Sequence, residues 1–304
     1  LFGWRAVFVV PLVGGVVVAA AAAKLVRNVG ERSNTTLDIL SVALLAAGIT
    51  AFVYSVGEFS TNVMTGIVTL FAAVVLLGLF AVRQLKLEHP VLNVRPMASV
   101  RFWPACLLVV VSMMTTFSMS VLLPLYFEGA YGMTALVAGL LILPAIACNA
   151  VTSIVGGRVM DARGAWPLLP VGFALIAVGQ TAISMTAASM NIGVVVALTI
   201  VVYAGVGLVL SPSQTAGLET LPAAEHPHGT ALLNTWNMIA ASLGPSLFIG
   251  LLSSSAAVAG ATGVAADVAQ AIGFAAAVRV AAVIAVVGFA VSLVYARRES
   301  HMSH

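Results

Sequence analysis

Residues 102–127 read FWPACLLVVVSMMTTFSMSVLLPLYF, without a single charged side chain. As an α-helix this stretch is about 39 Å long, because each residue adds about 1.5 Å, and the hydrocarbon core of a bilayer is about 30 Å thick. A stretch of this length and apolarity predicts a transmembrane helix.

Eight further apolar blocks follow the same pattern, so the sequence predicts an all-α integral membrane protein with nine transmembrane helices. A β-barrel is disfavoured because the blocks are continuously apolar and do not alternate. The nine predicted spans are 5–23, 37–56, 62–82, 102–127, 135–157, 167–188, 192–214, 229–252 and 273–296.

The composition excludes a soluble domain. Hydrophobic residues make up 61% of the chain and charged residues 8%, against about 25% charged in an ordinary soluble protein. The net charge of +3 comes from basic residues scattered between apolar blocks, so we expect no nucleic-acid partner. Cys106 and Cys148 both fall inside apolar blocks, and we expect no metal, no cofactor and no catalytic group.

The basic residues predict the topology, since Lys and Arg are retained on the cytoplasmic side. Loops on the opposite side hold Glu58, Glu128 and Asp267 and no Lys or Arg. The C terminus is therefore predicted to be cytoplasmic and Leu1 extracytoplasmic, which suggests that further sequence precedes Leu1. The basic residues that lie on the predicted cytoplasmic side are Lys24, Arg27, Arg32, Arg83, Lys86, Arg95, Arg101, Arg158, Arg163, Arg297 and Arg298.

One predicted cytoplasmic turn carries a specific motif, Gly157-Arg158-Val159-Met160-Asp161-Ala162-Arg163-Gly164. Gly157 allows close packing and helix termination, Asp161 can accept charge-assisted hydrogen bonds, and Gly164 permits a chain reversal. Such a cluster could hold one conformation of a transporter, with Arg163 beside it. An ordinary solvated basic loop explains the same residues.

This motif resembles the cytoplasmic loop motif of the major facilitator superfamily, in which an acid follows a Gly by four residues and a second Gly follows the acid by three. This sequence departs from the family motif at Ala162, where a basic residue is usual, and at Ala165-Trp166, where two more basic residues are usual. Further matches extend the resemblance to the fourteen-span branch of drug:proton antiporters: Trp4-Arg5, Leu37-Asp38, Pro90-Val91-Leu92, Arg101-Phe102, Leu123-Pro124-Leu125-Tyr126, Ala138-Gly139-Leu140 with Pro144, and Gly229 to Asn234.

The resemblance implies a domain organisation. Residues 1–23 correspond to the last helix of an N-terminal bundle, 37–82 to two linker transmembrane helices, 83–101 to a cytoplasmic loop and 102–298 to a C-terminal six-helix bundle. The family's first five helices, with its membrane-embedded acids linked to proton coupling, would be missing from this chain. Those missing helices are then the expected partner.

The eighth block contains Gly244-Pro245, which resembles the family's antiporter signature imperfectly. Pro245 removes a backbone donor, so this helix can bend at an interface, although a packing kink explains the pair too. Asn234 and Asn237 are spaced to share a face of the same helix, and amides in hydrocarbon need partners. We expect that face to line a substrate cavity.

Five more residues are candidates for the same cavity. Met113 and Phe117 lie one turn apart and suit varied apolar ligands, although lipid contact or packing is the favoured explanation for the pair. Asn149 and Gln180 are amides inside apolar blocks, for which interhelical hydrogen bonding is the alternative. Arg279 lies six residues past Gly273 and is expected either to reach the outer interface or to pair with Asp267, Glu128 or an anionic substrate group.

Together these features predict a secondary transporter in the cell membrane that exports amphipathic drugs or related small molecules by alternating access, with protons as coupling ion. A specific metabolite exporter of the same superfamily and an inactive transporter fragment stay open as alternatives. A membrane enzyme is disfavoured because no Ser, His and Asp constellation occurs, and a channel because no re-entrant filter segment does.

Overall fold

The computed structural model describes residues 6–25, 38–58, 62–87, 90–166 and 168–300, and every α-helix in it lies within those ranges. The fold is an all-α membrane bundle, as predicted. Eight helices are long and apolar enough to cross a membrane, and α1 contributes a shorter apolar stretch, Pro11–Lys24. The helices are α1 Ala6–Leu25, α2 Ile39–Glu58, α3 Val63–Lys86, α4 Phe102–Tyr131, α5 Ala135–Arg163, α6 Leu168–Thr186, α7 Ile192–Glu219, α8 His226–Ala261 and α9 Ala266–Ser300.

Helix α1 belongs to a separate compact unit formed by residues 1–37. Pro11 lies inside the helix and Lys24 in its last turn, where a cation interacts favourably with the helix dipole. The predicted roles of Trp4, Arg5, Arg27 and Arg32 fall on residues outside the described ranges.

The second unit begins with an antiparallel hairpin of α2 and α3. One face of each helix is buried at seven-residue intervals, which is the spacing of two helices packed in a shallow left-handed supercoil. Most of the buried residues are small, so the two backbones approach closely. The buried residues at this spacing are Ser41, Gly48 and Ser55 in α2 and Gly66, Ala73 and Phe80 in α3.

The hairpin packs on the six-helix bundle through one apolar cluster. Phe80 of α3 and Leu92 of the following loop are buried with Phe102 and Val109 of α4 and Leu233 of α8. The hairpin and the loop are thereby attached to the ends of α4 and α8.

Helix α4 lies at the centre of the bundle, against α7, α8 and α9, while α6 lies between α7 and α9. The ring of Tyr126 in α4 stacks on Phe274 of α9, with centroids 4.2 Å apart. The Tyr126 hydroxyl donates to the Ala187 carbonyl oxygen over 2.8 Å, just past the end of α6. This buried hydroxyl is therefore satisfied, as an apolar interior requires.

Helix α5 packs mainly on α7, and small residues let them approach. A Cβ placed on Gly207 of α7 would lie 2.6 Å from the Asn149 carbonyl oxygen of α5, so no larger residue fits without a shift. The contact also places the Asn149 side chain against the α7 backbone.

Several helices extend beyond the predicted apolar blocks, because a helix continues through polar residues that no longer lie in hydrocarbon. Helix α3 continues to Lys86, and the Leu87 N–H still bonds the Arg83 carbonyl oxygen, so the predicted 83–101 loop begins one turn later. Helix α8 starts at His226, and α9 starts at Ala266 instead of 273.

Candidate functional site

One side of α4 is partly exposed along the middle of the helix. Met113 is half-buried and Phe117 is 38% exposed. Phe117 lies nine residues, about two and a half turns, before Tyr126, so it projects from the side of α4 opposite to the contact with α9. The predicted pair therefore lies on a side of α4 that no described helix covers fully, together with Thr116 and the exposed Ser120.

Helix α8 approaches α4 closely at Gly244. A Cβ at that position would lie 3.2 Å from the Met114 carbonyl oxygen of α4, and the Ser118 hydroxyl, which donates to Met114, lies beside it. Pro245 stays inside the continuous helix α8. Gly244 thus lies at the α4–α8 contact, and the role of the Gly-Pro pair in bending the helix stays a prediction.

The two α8 asparagines differ in burial. Asn237 is 8% exposed and its Oδ1 has no hydrogen-bond partner in the described part of the chain, whereas Asn234 is exposed. Buried amides usually find partners, so the buried Oδ1 of Asn237 is an unsatisfied hydrogen-bond acceptor in this conformation.

The amides of α5 and α6 also differ. Asn149 Nδ2 donates to the Tyr203 carbonyl oxygen of α7 over 3.0 Å, which is the interhelical hydrogen bond considered as its alternative role. Gln180 is fully buried, and neither Nε2 nor Oε1 has a partner among the described residues. No hydrogen bond of the described residues joins Asn149, Gln180 and Asn237 into one cluster.

Comparison with known proteins decides the family. The model of the Major Facilitator Superfamily matches residues 1–245 of this chain. The chain belongs to the Major Facilitator Superfamily. With its long apolar helices, it is a multi-pass membrane protein.

Three superfamily relatives bear on its function. An uncharacterised MFS-type transporter, YcnB of Bacillus subtilis, is 33% identical over 96% of this chain and 62% of its own length. The lincomycin resistance protein LmrB of Listeria monocytogenes is 30% identical over 83% of the chain and 54% of its own length. The riboflavin transporter RibZ of Clostridioides difficile is 21% identical over 84% of the chain and 55% of its own length. The chain thus spans about three fifths or less of these relatives.

The loop motif lies at the end of α5. The helix does not end at Gly156 and Gly157, as we predicted, but continues through Asp161 to Arg163. It ends at Gly164, whose φ of +72° lies in the left-handed region that favours glycine, and whose N–H bonds the Met160 carbonyl oxygen. Asp161 and Arg163 are exposed, and neither forms an ion pair within the described ranges.

Arg279 lies thirteen residues into α9, because the helix begins at Ala266 and not at Gly273. It is exposed and forms no ion pair with Asp267, Glu128 or any other described residue. The pairing within the chain that we considered is therefore absent, and the expectation that Arg279 extends toward the interface stays open.

Sequence reasoning missed a polar network that joins the hairpin to its loop. Arg83 donates to Asp38 through Nε over 2.8 Å and Nη2 over 3.0 Å. Ser41 Oγ donates to Asp38 over 2.6 Å, Gln84 Nε2 donates to Ser41 Oγ over 2.7 Å, and the Leu92 N–H donates to Gln84 Oε1 over 3.0 Å.

The network accounts for the ionisation of Asp38. Hydrogen bonds from Arg83 and then from Ser41 hold the pKa of the Asp38 carboxyl well below its ordinary range. The detectable signal in the sequence was an acid directly before one helix and an Arg near the end of the next, which a hairpin brings to the same end. Gln84 and Ser41 gave no such signal.

Proposed function

We propose that this chain forms the C-terminal part of a proton-coupled exporter in the cell membrane, which moves amphipathic drugs or related small molecules by alternating access. In this proposal residues 1–23 complete an N-terminal bundle, 37–82 are linker helices of a fourteen-span transporter, and 102–298 form the C-terminal bundle. The N-terminal helices belong to the same polypeptide.

The observation that carries the proposal is the partly exposed side of α4 at Met113 and Phe117, directed away from α9. In a transporter built of two bundles, substrate binds between them. A thioether and an aromatic ring suit apolar ligands of varied shape, and the unpartnered Asn237 Oδ1 on α8 is a candidate hydrogen-bond acceptor. The relative LmrB is named for lincomycin resistance, which favours a drug as substrate.

Proton coupling is assigned to the rest of the transporter. In the described ranges Asp38 and Asp161 lie at helix ends, as do Glu58, Glu219 and Asp267, and Glu128 lies in the last turn of α4. An acid that binds a coupling proton is expected inside the membrane, near the substrate. The basic ends of α3 and α5 favour a cytoplasmic C terminus.

A specific metabolite exporter is the second candidate. The relative RibZ, a riboflavin transporter, favours this candidate, because RibZ matches the same region of the chain and is named for a single metabolite. If the chain occurs without the N-terminal bundle, an inactive transporter fragment is the third candidate.

Accumulation of lincomycin and of a fluorescent cationic dye in cells that express the full-length reading frame tests the proposal. We expect lower accumulation, reversed by a protonophore, and a change of about tenfold in lincomycin export for Phe117→Ala. The matched control is Val283→Ala, on the exposed side of α9. Unchanged accumulation of both compounds, with the protein in the membrane, contradicts drug export and leaves the metabolite exporter or the inactive fragment.

A further inference from the structure

Arg279 is the only charged residue among the exposed side chains of the middle of α9. Exposed residues recur there every three or four positions, as expected for one helix face. All except Arg279 are apolar. The residues of this face are Arg279, Val280, Val283, Val286, Val287, Ala290 and Val294.

The depth of Arg279 follows from contacts on either side of it. Phe274, five residues before it, stacks on Tyr126 near the end of α4, and Gly288, nine residues after it, lies against Phe173 and Val111 in the bundle interior. Asp267 precedes Arg279 by twelve residues, about 18 Å of helix. The Arg279 backbone therefore lies within the apolar part of α9, in the half nearer to Ala266.

The direction of the Arg279 side chain follows from helix geometry. Side chains of an α-helix lean toward its N terminus, and the N terminus of α9 is its Asp267 end. Ala276, on the preceding turn of the same side, is small and leaves room for the aliphatic part of the side chain. The guanidinium is thus directed toward the headgroups of the leaflet at the Asp267 end.

The rest of the bundle does not supply an anion on this side. The opposite sides of α9 pack against α4 and α6, and Arg279 has no acidic partner in the described ranges. A guanidinium at headgroup level is complementary to a phosphate, with which it forms paired hydrogen bonds, and the valines below it are complementary to an acyl chain. The charge and the apolar face together select one class of occupant.

We propose that Arg279 and the valine face of α9 bind an anionic phospholipid of the leaflet at the Asp267 end, with the lipid phosphate on the guanidinium. A zwitterionic lipid is a weaker ligand, because its choline cation is repelled by the same arginine. The site is independent of the transported substrate, so the test of lipid binding does not depend on whether the protein exports drugs.

Native mass spectrometry of the purified full-length polypeptide with phosphatidylglycerol or phosphatidylcholine tests the site. We expect the wild type to prefer phosphatidylglycerol, and Arg279→Gln to lose about fivefold of that preference, since one basic residue contributes about 1 kcal/mol to anionic lipid binding. Arg101→Gln, an exposed arginine at the opposite end of the bundle, is the matched control and should keep it. If Arg279→Gln folds poorly, Arg279→Lys retains the cation and should keep a reduced preference.

Four results would overturn the site. Equal preference in the wild type and Arg279→Gln, or an equal loss in Arg101→Gln, would show that this arginine selects no lipid. Competition by millimolar inorganic phosphate alone would assign the site to a free anion. A wild-type dimer that Arg279→Gln converts to a monomer, without a change in lipid preference, would make a second copy of the chain the occupant.

Discussion

Arg83, near the end of α3, holds Asp38, which directly precedes α2, by two hydrogen bonds of 2.8 and 3.0 Å. The residues are distant in sequence, and their pairing closes the α2–α3 hairpin at the end where it meets the loop to α4. Because Ser41 and Gln84 continue the network to the Leu92 N–H, the pair also orients that loop.

Asp38→Asn should therefore loosen the hairpin and lower the thermal transition of the protein. The folded pKa of Asp38 lies below its unfolded value, so its stabilising contribution is present above the unfolded pKa, about 4, and is lost as pH falls through the folded pKa. The variant should show a smaller loss of stability below about pH 4 than the wild type. Measurement of the transition temperature against pH checks this, and a curve parallel to that of the wild type would show that the pair contributes nothing.

Gly244→Val should destabilise the α4–α8 contact by about 1–3 kcal/mol, because even a Cβ would lie 3.2 Å from the Met114 carbonyl oxygen. Gly139→Val in α5 is the matched control, since a Cβ there meets no atom within 4 Å. Thermal unfolding in the same detergent compares them. An equal loss in both variants would assign the effect to helix propensity and not to the interface.

Asn149→Ala and Asn237→Ala should affect different properties, the first protein stability and the second the substrate profile. Removal of the Asn149 hydrogen bond to Tyr203 should cost about 0.6 kcal/mol, the average for interhelical hydrogen bonds in a membrane, so protein stability should fall slightly. Asn237→Ala removes an acceptor without a protein partner and should change the substrate profile more than the amount of folded protein. Loss of folded protein in both variants would show that Asn237 also serves packing.

Gln180→Met should leave stability unchanged or raise it by about 1 kcal/mol, because it replaces a buried, unpaired amide by an apolar side chain of similar length. The transition temperature and substrate profile of the variant are the measurements. A clear loss of stability would reveal a partner, such as an internal water. A changed substrate profile at unchanged stability would place Gln180 in the predicted cavity.

Asp161→Asn should slow turnover while leaving substrate binding largely intact, since the acid is predicted to stabilise one conformation through charge-assisted hydrogen bonds. Asp267→Asn, an exposed acid near the start of α9, is the control. Transport rates and equilibrium binding of the full-length protein separate the two effects. Unchanged transport would assign the Gly157–Gly164 motif to a solvated loop.

Much of the candidate site was visible in the sequence as residue types, but not as geometry. Pro245 and Gly164 were identified because their backbone chemistry is local and holds in any fold. The lack of a partner for Gln180 among the described residues, the exposure of Arg279 and the partner of Asn149 were not predictable. Each depends on which side of its helix faces another helix.

The sequence alone determined that the chain is helical, that it spans a membrane repeatedly and where most spans lie. These properties depend on the apolarity of about 20 consecutive residues, because each helix satisfies its own backbone hydrogen bonds in lipid. Only the tertiary structure decided which faces pack together and that Arg83 meets Asp38. Lipid-facing and bundle-facing sides are both apolar, so the helices carry little amphipathic pattern, and contacts between small residues select the pairs instead.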